Sequence, residues 1–223
     1  MHKARIVGAA LIVIAVAGVT YAMRPVAVPS EAIAETAARL GGEEGVGQVY
    51  TIIPEQSQTL FQLDEVLRGE AIVVEGKTSA IAGQVTVGGG ATTLDLGTIA
   101  VNARTLETDD AKRNRAMANV ILNTDTFEFI TFTSDGAISF PGPLVVGVEY
   151  AVEIPGTLTI RDITRPVTFA AMVTAADTDT ISGTATATVL RSDYNLIIPD
   201  LPFIASVGDE VTIVVALVAV RVQ

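Results

Sequence analysis

The chain of 223 residues has no cysteine and no tryptophan, and its one histidine, His2, stands next to the start. Without cysteine, neither disulfide bridges nor thiol chemistry can hold or operate the fold. A single histidine outside any foldable segment excludes histidine triads, imidazole general bases and most zinc sites. Aromatic residues are 5% of the chain, too few to fill a wide β interior easily. Basic residues are also scarce: 14 against 25 acids, a formal net charge of −11. Three of those 14 lie in the first 30 residues, where no acid occurs, leaving 11 against all 25 acids, a net of −14, for the rest. Such a domain repels phosphates, which excludes nucleic-acid binding. The close carboxylate pairs Glu43-Glu44, Asp109-Asp110 and Asp177-x-Asp179 each fall in a loop or at a helix start, where nothing raises a pKa for general acid–base work. The glycine clusters "GVGQ" and "GGG" lack the following Lys-Ser/Thr of a phosphate loop. These absences point away from an enzyme, a metal and a cofactor.

What is present begins with a membrane element. Residues 6–23, "IVGAALIVIAVAGVTYAM", run without a charge between Arg5 and Arg24, just long enough to span a bilayer as a helix. Lys3 and Arg5 favour a cytoplasmic N-terminus and put the acidic domain on the extracytoplasmic side, periplasmic or extracellular. A cleaved signal peptide is the rival reading, but Ala15-Val16-Ala17 lies inside the apolar run and Thr20-Tyr21-Ala22 fits a cleavage site poorly. A retained transmembrane anchor over residues 1–24 is therefore expected. Residues 25–47 read as a linker: "RPVAVP" is stiffened by two prolines, and Ser30 precedes a short helix, "EAIAETAARL", expected to be a mostly solvated spacer.

From residue 48 to 223 the chain reads as strand after strand. "GTLTIRDITRPVTF", residues 156–169, is a hairpin: Leu158 and Ile160 alternate with threonines, charges crowd the turn, and alternation resumes at Val167 and Phe169. Pro166 is expected where the second strand begins. Similar alternation recurs, separated by turn signals such as Gly88-Gly89-Gly90 and Pro141-Gly142-Pro143, and implies an antiparallel sandwich or barrel. One helix interrupts within "LETDDAKRNRAMANVIL", capped by Thr108 or Asp109, with Met117, Val120 and Ile121 as its apolar stripe. One helix cannot cover so large a sheet, so closure into a barrel is expected.

Four blocks resemble the YceI-like, lipocalin-like polyisoprenoid-binding proteins. They are "VYTIIPEQSQTLF", "NARTLETDDAKRNRAMANVILNTDTFEFITFTS", "GTLTIRDITRPVTF", and the closing pair "LRSDYNL" and "VGDEVTIVV". Two departures stand out. Where many members have histidines in the first strand, this chain has Gln56-Ser57 and Asp64-Glu65, so no imidazole role carries over. The aromatic-Gly of the late block is Tyr194-Asn195, and Asn tolerates the left-handed backbone that Gly would adopt.

The resemblance implies an all-β fold, an eight-stranded antiparallel lipocalin-like barrel with one short helix, preceded here by the transmembrane helix. It also implies a non-catalytic function: binding an isoprenoid lipid or quinone in an apolar interior. The expected ligand-binding residues are Phe61, Leu63, Ile81, Val85, Phe129, Leu158, Ile160 and Phe169. Arg113 and Arg165, with Lys112 and Arg115 nearby, are the cations available to a phosphate or quinone head group. The alternative for these arginines is surface pairing with Asp162, Asp109, Asp110 or Glu107. The alternative for the whole molecule is a packed barrel that serves as accessory subunit of a membrane protein complex.

Overall fold

The structure, a computed structural model, describes residues 21, 23–30, 33–40, 47–198 and 204–222. The expected membrane segment, apart from Tyr21 and Met23, lies outside the described residues. Among the described residues no helix is long and apolar enough to cross a membrane.

The fold is all-β, a curled and mostly antiparallel sheet with few helices. Among the described residues it comprises fourteen strand segments rather than eight uninterrupted strands. The breaks have local causes. β1 (Gly47–Ile52) and β2 (Gln58–Leu67) are separated by a 3₁₀ turn at Pro54–Gln56, where proline cannot donate to a ladder. β3 (Glu70–Thr78), β4 (Ile81–Ala82) and β5 (Gln84–Gly88) follow one another with short kinks. At Gly83 a Cβ would lie 2.6 Å from Ile99 Cδ1 and 3.0 Å from the Thr98 carbonyl, so a larger residue would have to push Ile99 aside. β6 (Thr93–Leu96), β7 (Ile99–Asn102), β8 (Phe129–Ser134) and β9 (Ile138–Ser139) are short. The long strands come last: β10 (Glu149–Ile160), β11 (Ile163–Ala175), β12 (Thr180–Leu190) and β14 (Glu210–Arg221), with the short β13 (Ile204–Val207) before β14.

Pairing runs β7–β8–β10–β11–β12–β14, and β14 then divides its free edge. Its first half pairs with β2 (Val214↔Leu60) and its end with β1 (Val220↔Thr51). β2 pairs with β3, β1 with β5, and β4 with β7. Pro166 does not open β11 but stands inside it, opposite Thr157. It is tolerated because β11 meets β12 only from Ala170 onward, which leaves the proline an unpaired edge.

The core occupies one end of the sheet. Tyr50, Ile52, Val85, Leu94, Leu96, Phe140 and Ile181 are all buried in one cluster there. A second, smaller cluster at the other end joins Leu158, Ile160, Val189 and Tyr194 to Met117 and Leu122. The segment ahead of the sheet is not a solvated spacer. Helix α1 (Ile33–Leu40) packs Ala37, 4% exposed, against Ala82 and Ala100, with Ile33 beside them. Three alanines let the helix approach the sheet closely enough to bury that face.

Candidate apolar cavity

Between the two clusters lies a cavity of about 960 Å³. Inward positions follow strict alternation. In β2 these are Thr59, Phe61, Leu63, Glu65 and Leu67, and in β10 Leu158 and Ile160. Two glycines make room for the largest rings. Gly76 stands opposite Phe61, and a Cβ on it would sit 2.3 Å from Phe61 Cε1. At Gly156 a Cβ would meet Phe132 Cζ at 2.5 Å and the Thr133 carbonyl at 2.4 Å. Phe132 in turn meets Phe169 edge to face, centroids 5.0 Å apart.

The helix closes one side. Its cap is Asp110 rather than Thr108 or Asp109: Asp110 Oδ1 accepts the N–H groups of Lys112 and Arg113, both at 2.8 Å. These bonds, led by that from Arg113, hold the Asp110 carboxyl below its ordinary range against the opposing effect of burial. The Thr108 hydroxyl is otherwise engaged, donating to Asn114 Oδ1 at 2.7 Å. Helix α2 (Ala111–Ala116) runs into a wider π-helical turn, Met117–Ile121, from which Met117, Val120 and Ile121 face the cavity.

Six of the eight expected lining residues, Phe61, Leu63, Ile81, Leu158, Ile160 and Phe169, line this cavity. Val85 lines a separate void of about 100 Å³ toward the core end. Phe129 lines neither, because Ile130 and Phe132 take the inward parity of β8. Of the two arginines, Arg113 lines the cavity, held by Asp109 at 2.6 Å and by Glu65 at 3.7 Å. Arg165 does not line it. It stands opposite Leu158 in register, but its side chain is exposed, donating to the carbonyl of Thr164 at 3.3 Å.

Sequence reasoning missed three groups. Glu65, 6% exposed, is an acid inside an apolar wall. Tyr194, 1% exposed, closes the end cluster; burial, and then the Asp193 charge, push its hydroxyl up to about 12, so it stays protonated. Asn195 beside it is left-handed at φ 50°, as its place in the glycine position of the late block implied. Met23, well ahead of the sheet, also lines the cavity. Periodicity could have flagged Glu65 as sharing the parity of Phe61 and Leu63; nothing local marks Met23.

The geometry is similar to that of solved structures. One is a polyisoprenoid-binding domain from Saccharophagus degradans implicated in plant cell wall breakdown, 14% identical with a TM-score of 0.65, covering 78% of this chain and 99% of that one. Another is Burkholderia cenocepacia BcnA, 22% identical with a TM-score of 0.59, covering 75% and 98%. A mutant Campylobacter jejuni YceI protein carrying a monobromobimane guest is 13% identical with a TM-score of 0.52, covering 66% and 84%. No curated protein matches. At these identities the likeness is one of fold. Membership comes from the sequence: residues 50–219 match the YceI-like domain, nearly the whole of the sheet and its cavity, and the chain therefore belongs to the YceI-like domain family.

Proposed function

We propose that this protein carries or sequesters an isoprenoid chain, that of a polyprenyl phosphate or an isoprenoid quinone, by binding it in the cavity without chemical change and with no cofactor or metal. It does so as a single-pass protein of the cytoplasmic membrane, anchored by residues 6–23, with its domain on the extracytoplasmic side. The observation that carries this reading is the cavity itself: about 960 Å³, walled mainly by aliphatic and aromatic side chains. That volume is at the upper end of the ~300–1,000 Å³ typical of ligand sites. Each square ångström of apolar surface removed from water contributes about 25 cal/mol, so a long hydrocarbon tail is the natural guest. Family membership and the polyisoprenoid-binding relative of similar fold support the same ligand class.

The architecture fits an eight-stranded barrel if the segments are joined across their kinks. Counting β1–β2, β3–β5, β6–β7, β8–β9 and β13–β14 as one strand each leaves eight, each pairing with the next and the last with the first. The alternative, a packed scaffold subunit, has the open volume against it.

The test is mass spectrometry of lipids retained by the purified full chain and by Leu158→Gln. A buried amide without partners costs on the order of 1–3 kcal/mol. The wild type is expected to retain an isoprenoid and the variant to lose most of it while still melting cooperatively. A wild type free of isoprenoid, with a variant that unfolds outright, overturns the carrier reading in favour of the scaffold.

A further inference from the structure

The geometry points to residues 21 and 23–30 as a strap that holds the charged end of the cavity against the phospholipid bilayer, so that guest and membrane meet at that face. This rests on the reading of residues 6–23 as an anchor. The strap is fixed at both ends. At its start the Tyr21 hydroxyl donates to Asn123 Oδ1 at 3.2 Å, and the Arg24 guanidinium, 4.0 Å from the Tyr21 ring, pairs with Asp125. The Asn119 amide donates to the Arg24 carbonyl at 2.9 Å. Farther along, Arg104 donates to the Val28 carbonyl at 3.2 Å, and the Ser30 N–H to Glu128 Oε1 at 2.6 Å. Asn123 and Asp125 closely follow Leu122, a wall residue, and Met23 itself lines the cavity. The described end of the apolar run, Tyr21 and Met23, is therefore held beside this end.

Among the residues lining the cavity, its charged end carries Arg68, Lys112, Arg113 and Arg191 beside Glu65 and Asp110, ringed by the exposed acids Glu70, Asp109, Asp162 and Asp193. Arg113 is paired with Asp109 and Glu65, and Arg191 faces Asp209 at 3.8 Å. Among the described residues Arg68 and Lys112 form no ion pair and remain available. Arg68 occupies the tip of the β2–β3 turn at φ 53°, a left-handed conformation unfavourable for so bulky a side chain. The apolar Ile197, 74% exposed, and Leu190 flank the same end.

The absence of cysteine allows a clean test in the full chain. Ile197→Cys at the charged end and Thr178→Cys at the far end each carry a small fluorophore. The protein is reconstituted into phosphatidylcholine–phosphatidylglycerol vesicles containing a nitroxide head-group lipid. Strong quenching is expected at position 197 and little at 178. Adding Arg68→Glu with Lys112→Glu, or Asp125→Ala to release the strap, reduces quenching at 197, with a single cooperative melting transition as the folding control. Equal quenching at the two positions, or more at 178, overturns the orientation while leaving the anchor reading intact. Quenching at neither position overturns both.

Discussion

The Tyr194 ring packs with Leu158, Ile160 and Val189, and among the described residues no group bonds its buried hydroxyl. An unpaired buried hydroxyl costs about 1–3 kcal/mol, so Tyr194→Phe is expected to stabilise the domain. In a chain of this size each kcal/mol moves the melting temperature by roughly 2–4 °C, a rise that calorimetry detects. A lower melting temperature in the variant would mean the hydroxyl has a partner. At this scale the sequence was legible wherever polar residues marked the outward parity, as threonine does beside Leu158 and Ile160. It misled in "FEFITF", where both parities carry apolar residues and alternation alone cannot choose between Phe129 and Ile130. It also misled at Arg165, which shares the parity of Val167 and Phe169 and stands opposite buried Leu158 yet is itself exposed.

Among the elements, the strap and its buried ion pair are the least predictable from local sequence. Arg104 and Glu128, 2.7 Å apart and both largely buried, fasten a segment roughly a hundred residues upstream of Glu128, and no local pattern announces such a contact. In α1, Ile33, Ala37 and Leu40 recur at helical spacing in the sequence, but so weak a stripe gives no sign of its partner until Ala82 and Ala100 are seen beside Ala37. The ion pair also sets a pH dependence. Burial alone would raise the Glu128 carboxyl, but Ser30, Asn102 and the Arg104 charge together hold it below its usual 4.5. A folded-state pKa below the unfolded one adds stability that is present above 4.5 and is lost as pH falls through the lowered value. Limited proteolysis should therefore leave the segment before β1 intact at neutral pH and cut it increasingly in acid below 4.5. With Glu128→Gln the cutting should lose much of its pH dependence; an unaltered profile would show that another group governs attachment.

For the molecule as a whole, the all-β fold was readable because its long antiparallel hairpins need only turn signals and alternation, both local. The number of segments was not, since the kinks at Pro54–Gln56 and Gly83 depend on what lies across the sheet. Residues 48–223 are expected to fold alone, with a circular dichroism spectrum dominated by strand, but to melt below a chain that begins at residue 21, because they lack the strap and α1. A helix-dominated spectrum, or equal melting, would contradict this. One further consequence lies in the edge-to-face pair of Phe132 and Phe169. Their rings, with Ile99 and Val215, belong to the walls of both the large cavity and the small void behind it. For a linear guest entering from the charged end they form the bottom of a well, which makes the protein a ruler. Under the proposed function, tail that fits above the two rings would be sheltered and surplus length left outside, so two phenylalanines, rather than the length of the barrel, would set the number of isoprene units admitted.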